Sequence, residues 1–132
     1  MHVADLVGRT LADLGVAQVF GVVGSGNFAV TNALVASGVP FVAARHEGGA
    51  ATMADAYSRT SGRVAALTVH QGCGLTNAMT GIAEAAKSRT PMLVVAADVA
   101  GAARTGGRTG YLLSRGLTRT ARGSIQCLES AL

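Results

Sequence analysis

Apolar positions in the first hundred residues alternate between two periods. Val3, Leu6, Val7, Leu11 and Leu14 recur at helical spacing, and Gly15 stands where such a helix would stop. Residues 17–23 (AQVFGVV) are a short β-branched run that predicts a strand ending in Gly24-Ser25-Gly26-Asn27. A helix is expected over 27–37, closed by Gly38, and a second strand over 39–45 (VPFVAAR). Residues 47–60, rich in Ala and ending at Ser61-Gly62, predict a third helix, and 63–69 (RVAALTV) a third strand. After the turn His70-Gln71-Gly72-Cys73-Gly74, a fourth helix is expected over 75–88 and a fourth strand over 91–97. Strands that are nearly unbroken apolar runs, separated by helices of about 10–15 residues, are what a parallel sheet covered on both faces requires. The pattern therefore predicts an α/β fold over residues 1–100: a single three-layer domain with a parallel sheet, helices on both faces and right-handed crossovers.

The chain has 132 residues, enough for one core and too few for two. Its mean hydropathy is high at +0.39, yet no apolar run approaches the roughly 20 residues that span a bilayer. Asp5 and Arg9 interrupt the N-terminal apolar pattern, unlike a signal peptide, so no membrane association and a cytoplasmic location are expected. Cys73 and Cys127 lie far apart, without CxxC or His spacing, which predicts neither a disulfide framework nor a metal site in this chain. A net charge of +4 raises nucleic acid as a partner until the charges are located. Residues 1–100 balance six basic against six acidic side chains, whereas 101–132 carry five Arg and one Glu. The excess belongs to that Arg/Gly-rich C-terminal segment, and no nucleic-acid partner is expected. Its weak periodicity predicts an irregular or divergent stretch with at most a short helix near 110–117; one reading makes it an arm for an anion or a partner.

In open α/β sheets, ligands bind outside the carboxyl ends of the strands. Three segments of this chain fall there. Gly24, Gly26 and Ala29 fit the GxGxxA fingerprint of a Rossmann-type nucleotide binder, with Glu47 as the acid beyond the second strand. Glu47 is followed by GGAATMADAY, however, and so is placed to open a helix instead of facing a ribose. There it can simply complement the helix dipole. Set between Arg45-His46 and Gly48-Gly49, whose small size lets another body approach, it can also share a proton with a ligand nitrogen. Gly72 and Gly74 stand where backbone comes close to something, before a helix N-terminus with unpaired N–H groups. His70 can serve as acid or base near neutral pH or satisfy loop hydrogen bonds, and Cys73 can be a small apolar packer or a nucleophile.

Three stretches taken in register from about Leu6 to Asp98 resemble one family: FGVVGSGN, then ARHEGGAATMADAYSRTSGRVAALTV, then HQGCGLTNAMTGIAEAAKSRTPMLVVAAD. They are similar to the N-terminal, pyrimidine-binding domain of thiamine-diphosphate enzymes of the acetolactate synthase, benzoylformate decarboxylase and pyruvate decarboxylase type. The resemblance implies that Glu47 hydrogen-bonds the aminopyrimidine ring and so promotes loss of the thiazolium proton, after which the cofactor attacks a 2-oxo acid. It also implies that Ser25, Gly72, Cys73 and Asn77 line the pyrimidine and a domain interface, and that His70 acts on substrate as in benzoylformate decarboxylase-like members. Two motifs depart from the family: G-x-P-G is common where this chain has Gly24-Ser25-Gly26-Asn27, and S-G-P-G where it has Gln71-Gly72-Cys73-Gly74. Nothing here matches the G-D-G…N motif that holds magnesium and diphosphate. The resemblance thus implies half a site, completed by a diphosphate-binding domain or subunit in trans within a homo- or hetero-oligomer. The alternative expectation is a non-catalytic remnant or interaction module that pairs with a full-length relative.

Overall fold

A computed structural model describes residues 2–98. Four helices and four strands alternate: α1 (Val3–Asp13), β1 (Gln18–Gly21), α2 (Phe28–Ala36), β2 (Phe41–Ala43), α3 (Glu47–Ser61), β3 (Ala65–Val69), α4 (Cys73–Lys87) and β4 (Met92–Ala96). Gly15, Gly38 and Gly62 adopt positive φ of 88°, 86° and 69° at the ends of α1, α2 and α3, the left-handed conformation that only glycine adopts freely. The expected Arg/Gly-rich segment 101–132 lies outside the described residues.

The strands form one parallel sheet in the order β2-β1-β3-β4, with Val19 opposite Phe41 and Ala66, and Leu67 opposite Val94. Alternate side chains serve two cores. Val19 and Ala66 join Val16, Leu34 and Val39 beneath α1 and α2, while Phe20, Leu67, Val69 and Val94 meet Ala50, Ala54, Leu75 and Ile82 of α3 and α4. The predicted α/β fold with helices on both faces is therefore what forms. Tyr57 of α3 tilts against Phe20, with ring centroids 5.9 Å apart. Helix pairs approach through small residues: a Cβ on Gly8 would lie 2.6 Å from Ala33 Cβ, and one on Gly81 would lie 2.5 Å from Ala51 Cβ. This is the structural use of a composition rich in Gly and Ala.

Several boundaries differ from the sequence expectation. β1 and β2 are shorter than their apolar runs; directly after β1 the carbonyl of Val22 accepts a 3.1 Å hydrogen bond from Asn27 Nδ2. α4 begins at Cys73, not at residue 75, because Gly72 takes φ 69° and ψ −106° and turns the chain sharply into the helix. No helix among the described residues is long and apolar enough to cross a membrane.

From β1 the chain passes through α2 to the outer strand β2, then returns through α3 on the opposite face to β3, on the other side of β1. The winding reverses between β1 and β3. At such a switch point the loops leaving adjacent strands diverge and leave a crevice.

Candidate functional site

The crevice lies between the loop after β1 (22–27) and the turn after β3 (70–72). The two are tied together. The Gly26 amide donates to His70 Nδ1 at 3.1 Å, and a Cβ on Gly24 would lie 2.9 Å from the His70 ring. Beneath them is a buried polar circuit. Asn27, fully buried, accepts from the Gly24 amide through Oδ1 at 2.7 Å and donates through Nδ2 to Val22 O and Thr68 Oγ1, each at 3.1 Å. Thr31 Oγ1 lies 3.3 Å from Thr68 Oγ1. Asn27 occupies the N-cap of α2 yet gives that helix no side-chain bond, since its amide faces the loop.

Glu47 opens α3 and is buried, with 9% of its surface exposed. His46 caps this helix, its Nδ1 accepting from the Gly48 amide at 3.0 Å. Asn77 of α4 donates through Nδ2 to Glu47 Oε2 at 3.0 Å. Oε1 carries no hydrogen bond among the described residues and faces Gly74, where a Cβ would stand 3.4 Å from it and 3.3 Å from His70 Cβ. Glycine at 74 thus keeps the approach to the carboxylate open. The first turns of α3 and α4 converge on Glu47. The arrangement leaves one anionic oxygen free to bond or exchange a proton with a flat ligand nitrogen.

The structure brings Glu47, Asn77, Gly74 and His70 together. Gly72 is buried at the N-cap of α4 and shapes the turn. Ser25 lies exposed on the loop between Gly24 and Gly26, and Cys73 is an exposed free thiol at the first residue of α4. Neither side chain is held by a hydrogen bond among the described residues, nor do three or more His, Cys, Asp or Glu gather there to hold a metal ion.

Two further residues pack against these loops. Asn27 could be suspected only from its place after a glycine turn at a helix start, where Asn side chains bond nearby backbone. Gln71 gave no signal. Its Oε1 is buried without a partner among the described residues and lies where a side chain at position 26 would need to be, so Gly26 is what admits it.

Fold and site together define an α/β domain with a parallel sheet and a buried carboxylate, Glu47, at the strand ends. The chain belongs to the family of N-terminal TPP binding domains of thiamine pyrophosphate enzymes, whose model matches residues 1–118. It is 40% identical over 98 residues to the acetolactate synthase large subunit of Buchnera aphidicola subsp. Acyrthosiphon pisum, and 42% identical over 98 residues to the acetolactate synthase isozyme 3 large subunit of Escherichia coli K12. Each alignment covers 74% of this chain and 17% of the relative. A protein of Pseudomonas aeruginosa named "Probable 2-ketoarginine decarboxylase" is 41% identical over 87 residues, 66% of this chain and 16% of that protein. The chain thus spans about a sixth of the length of these relatives.

Proposed function

We propose that this chain supplies the aminopyrimidine half-site of a thiamine-diphosphate-dependent 2-oxo-acid decarboxylase or acetolactate synthase-like enzyme. The observation that carries the reading is Glu47: a buried carboxylate with one oxygen fixed by Asn77 and the other bare beside Gly74. The residues fit an aminopyrimidine, since Glu47 Oε1 offers an acceptor for a ring nitrogen and Gln71 Oε1 is a second, buried acceptor without a protein donor. When bound, the cofactor supplies an electron sink for loss of carbon dioxide from a 2-oxo acid.

This chain's own residues would do the rest. Glu47 holds or moves a proton at the pyrimidine, Asn77 aims the carboxylate, and Gly72 and Gly74 let the ring come close. Ser25 and Cys73, exposed on either side of the crevice, line the approach, and His70 meets substrate. Magnesium and diphosphate would be held by a partner domain or subunit. Val23 and Phe28, 42% and 55% exposed beside the glycine loop, support an apolar contact with that partner in a cytoplasmic homo- or hetero-oligomer.

Calorimetric titration of thiamine diphosphate with magnesium tests the reading, on the chain alone and with a candidate diphosphate-binding partner, wild type beside Glu47→Gln. The expected result is binding only with the partner, followed by decarboxylation that Glu47→Gln abolishes while the fold persists. Unchanged turnover in Glu47→Gln would remove its role, and absence of binding in both settings would favour a non-catalytic interaction module.

A further inference from the structure

We propose that the Gly26 amide fixes His70 as its Nε2–H tautomer, so that this side chain works on substrate as a hydrogen-bond donor to an oxygen and not as a base. The tautomer follows from geometry alone; the identity of the acceptor rests on the function proposed above.

A backbone N–H can only donate, and that of Gly26 is aimed at His70 Nδ1 from 3.1 Å. Nδ1 must therefore present its lone pair. A neutral imidazole carries one hydrogen, which this contact assigns to Nε2. Moving it to Nδ1 would set one N–H against another. The ring has little room to turn away, because a Cβ on Gly24 would stand 2.9 Å from both Cγ and Nδ1.

Asn27 holds the loop in this pose. It binds the Gly24 amide on one side and Thr68 on the other, and Thr68 precedes His70 by two positions on the same strand. Loop and ring are thereby referenced to one another through a single buried carboxamide, which makes Asn27 a positioning residue. His70 is half-buried and its Nε2 has no hydrogen-bond partner among the described residues, which leaves the N–H available to a ligand acceptor. The carboxylate and carbonyl groups of a 2-oxo acid offer acceptor oxygens and no donors, which matches a site that supplies the hydrogen.

Nitrogen NMR of the isotope-labelled full chain, at a pH above the ordinary histidine range, reads the tautomer directly. The expected spectrum has a bare Nδ1 and a protonated Nε2 for His70. A proton on Nδ1, or rapid averaging of the two forms, overturns the assignment. A second arm uses the reconstituted complex and two amide substitutions: in His70→Gln the amide nitrogen stands near the position of Nε2, and in His70→Asn near that of Nδ1. His70→Asn is expected to fall about a hundredfold below His70→Gln in kcat, the usual effect of one lost donor to a developing oxyanion. Equal losses, or the reverse order, overturn the donor role. A wild-type complex without turnover overturns the proposed function and the donor role with it, while the spectrum still decides the tautomer.

Discussion

The Asn27 side chain makes three hydrogen bonds and has no exposed surface, and none of those three goes to the helix it begins. Asn27→Ala would strand the Gly24 amide and the Val22 carbonyl and leave Thr68 Oγ1 with Thr31 alone, so urea unfolding is expected to show a loss of about 2–3 kcal/mol. A loss below about 0.5 kcal/mol, typical of an indifferent surface change, would show that water replaces the network at no cost. Glu47, by contrast, was legible from sequence. A carboxylate followed by two glycines at a predicted helix start is unusual enough to attract attention, whatever it binds. Asn27 and Gln71 were not. The bond from Asn27 to Thr68 joins residues 41 apart and that from Gly26 to His70 residues 44 apart, so their meaning exists only once β1 and β3 lie side by side.

At the scale of elements, every helix and strand expected within residues 2–98 forms, because each apolar run is matched to its period and punctuated by glycine. The ends were less legible. Nothing in the order His70-Gln71-Gly72-Cys73-Gly74 says which glycine starts α4, and the answer depends on a φ of 69° at Gly72. Gly72→Ala is expected to cost about 1–3 kcal/mol in thermal unfolding, the range for a strained left-handed residue. If stability were unchanged, the turn would have an alternative path into α4. The packing of α3 on α4 makes a separate prediction. Gly81→Val would drive two methyl groups into Ala51, and about 1–3 kcal/mol of overpacking is expected by chemical denaturation. A neutral or stabilising result would show that the helices separate without penalty.

Over the whole molecule, α3 and α4 are also joined by charge. Arg59 Nη2 lies 2.7 Å from Asp55 Oδ2 and 3.6 Å from Glu84 Oε1, and the Arg59 guanidinium holds the Asp55 carboxyl below its ordinary range despite an opposing effect of burial. A carboxyl whose pKa is depressed by folding adds stability above its unfolded value, about 3.9, and that contribution fades as pH falls through the folded value. Asp55→Asn should therefore lower the melting temperature near neutral pH and lose that difference in acid. A constant difference across the range would assign the loss to packing instead of charge. The sheet order β2-β1-β3-β4 was not legible in the sequence, because alternating strands and helices fit several parallel orders. Only the pairing of β1 with β3 turns three scattered glycine motifs into one crevice.

That pairing also turns a single proton into a clock. The Gly26 amide sits on an exposed loop, where exchange with solvent deuterium is ordinarily fast, yet its acceptor is a ring carried on the neighbouring strand. Its exchange rate therefore counts how often the two loops part. A cofactor or partner that seats in the crevice would slow that count without moving a single strand, so one amide reports on occupancy of the site.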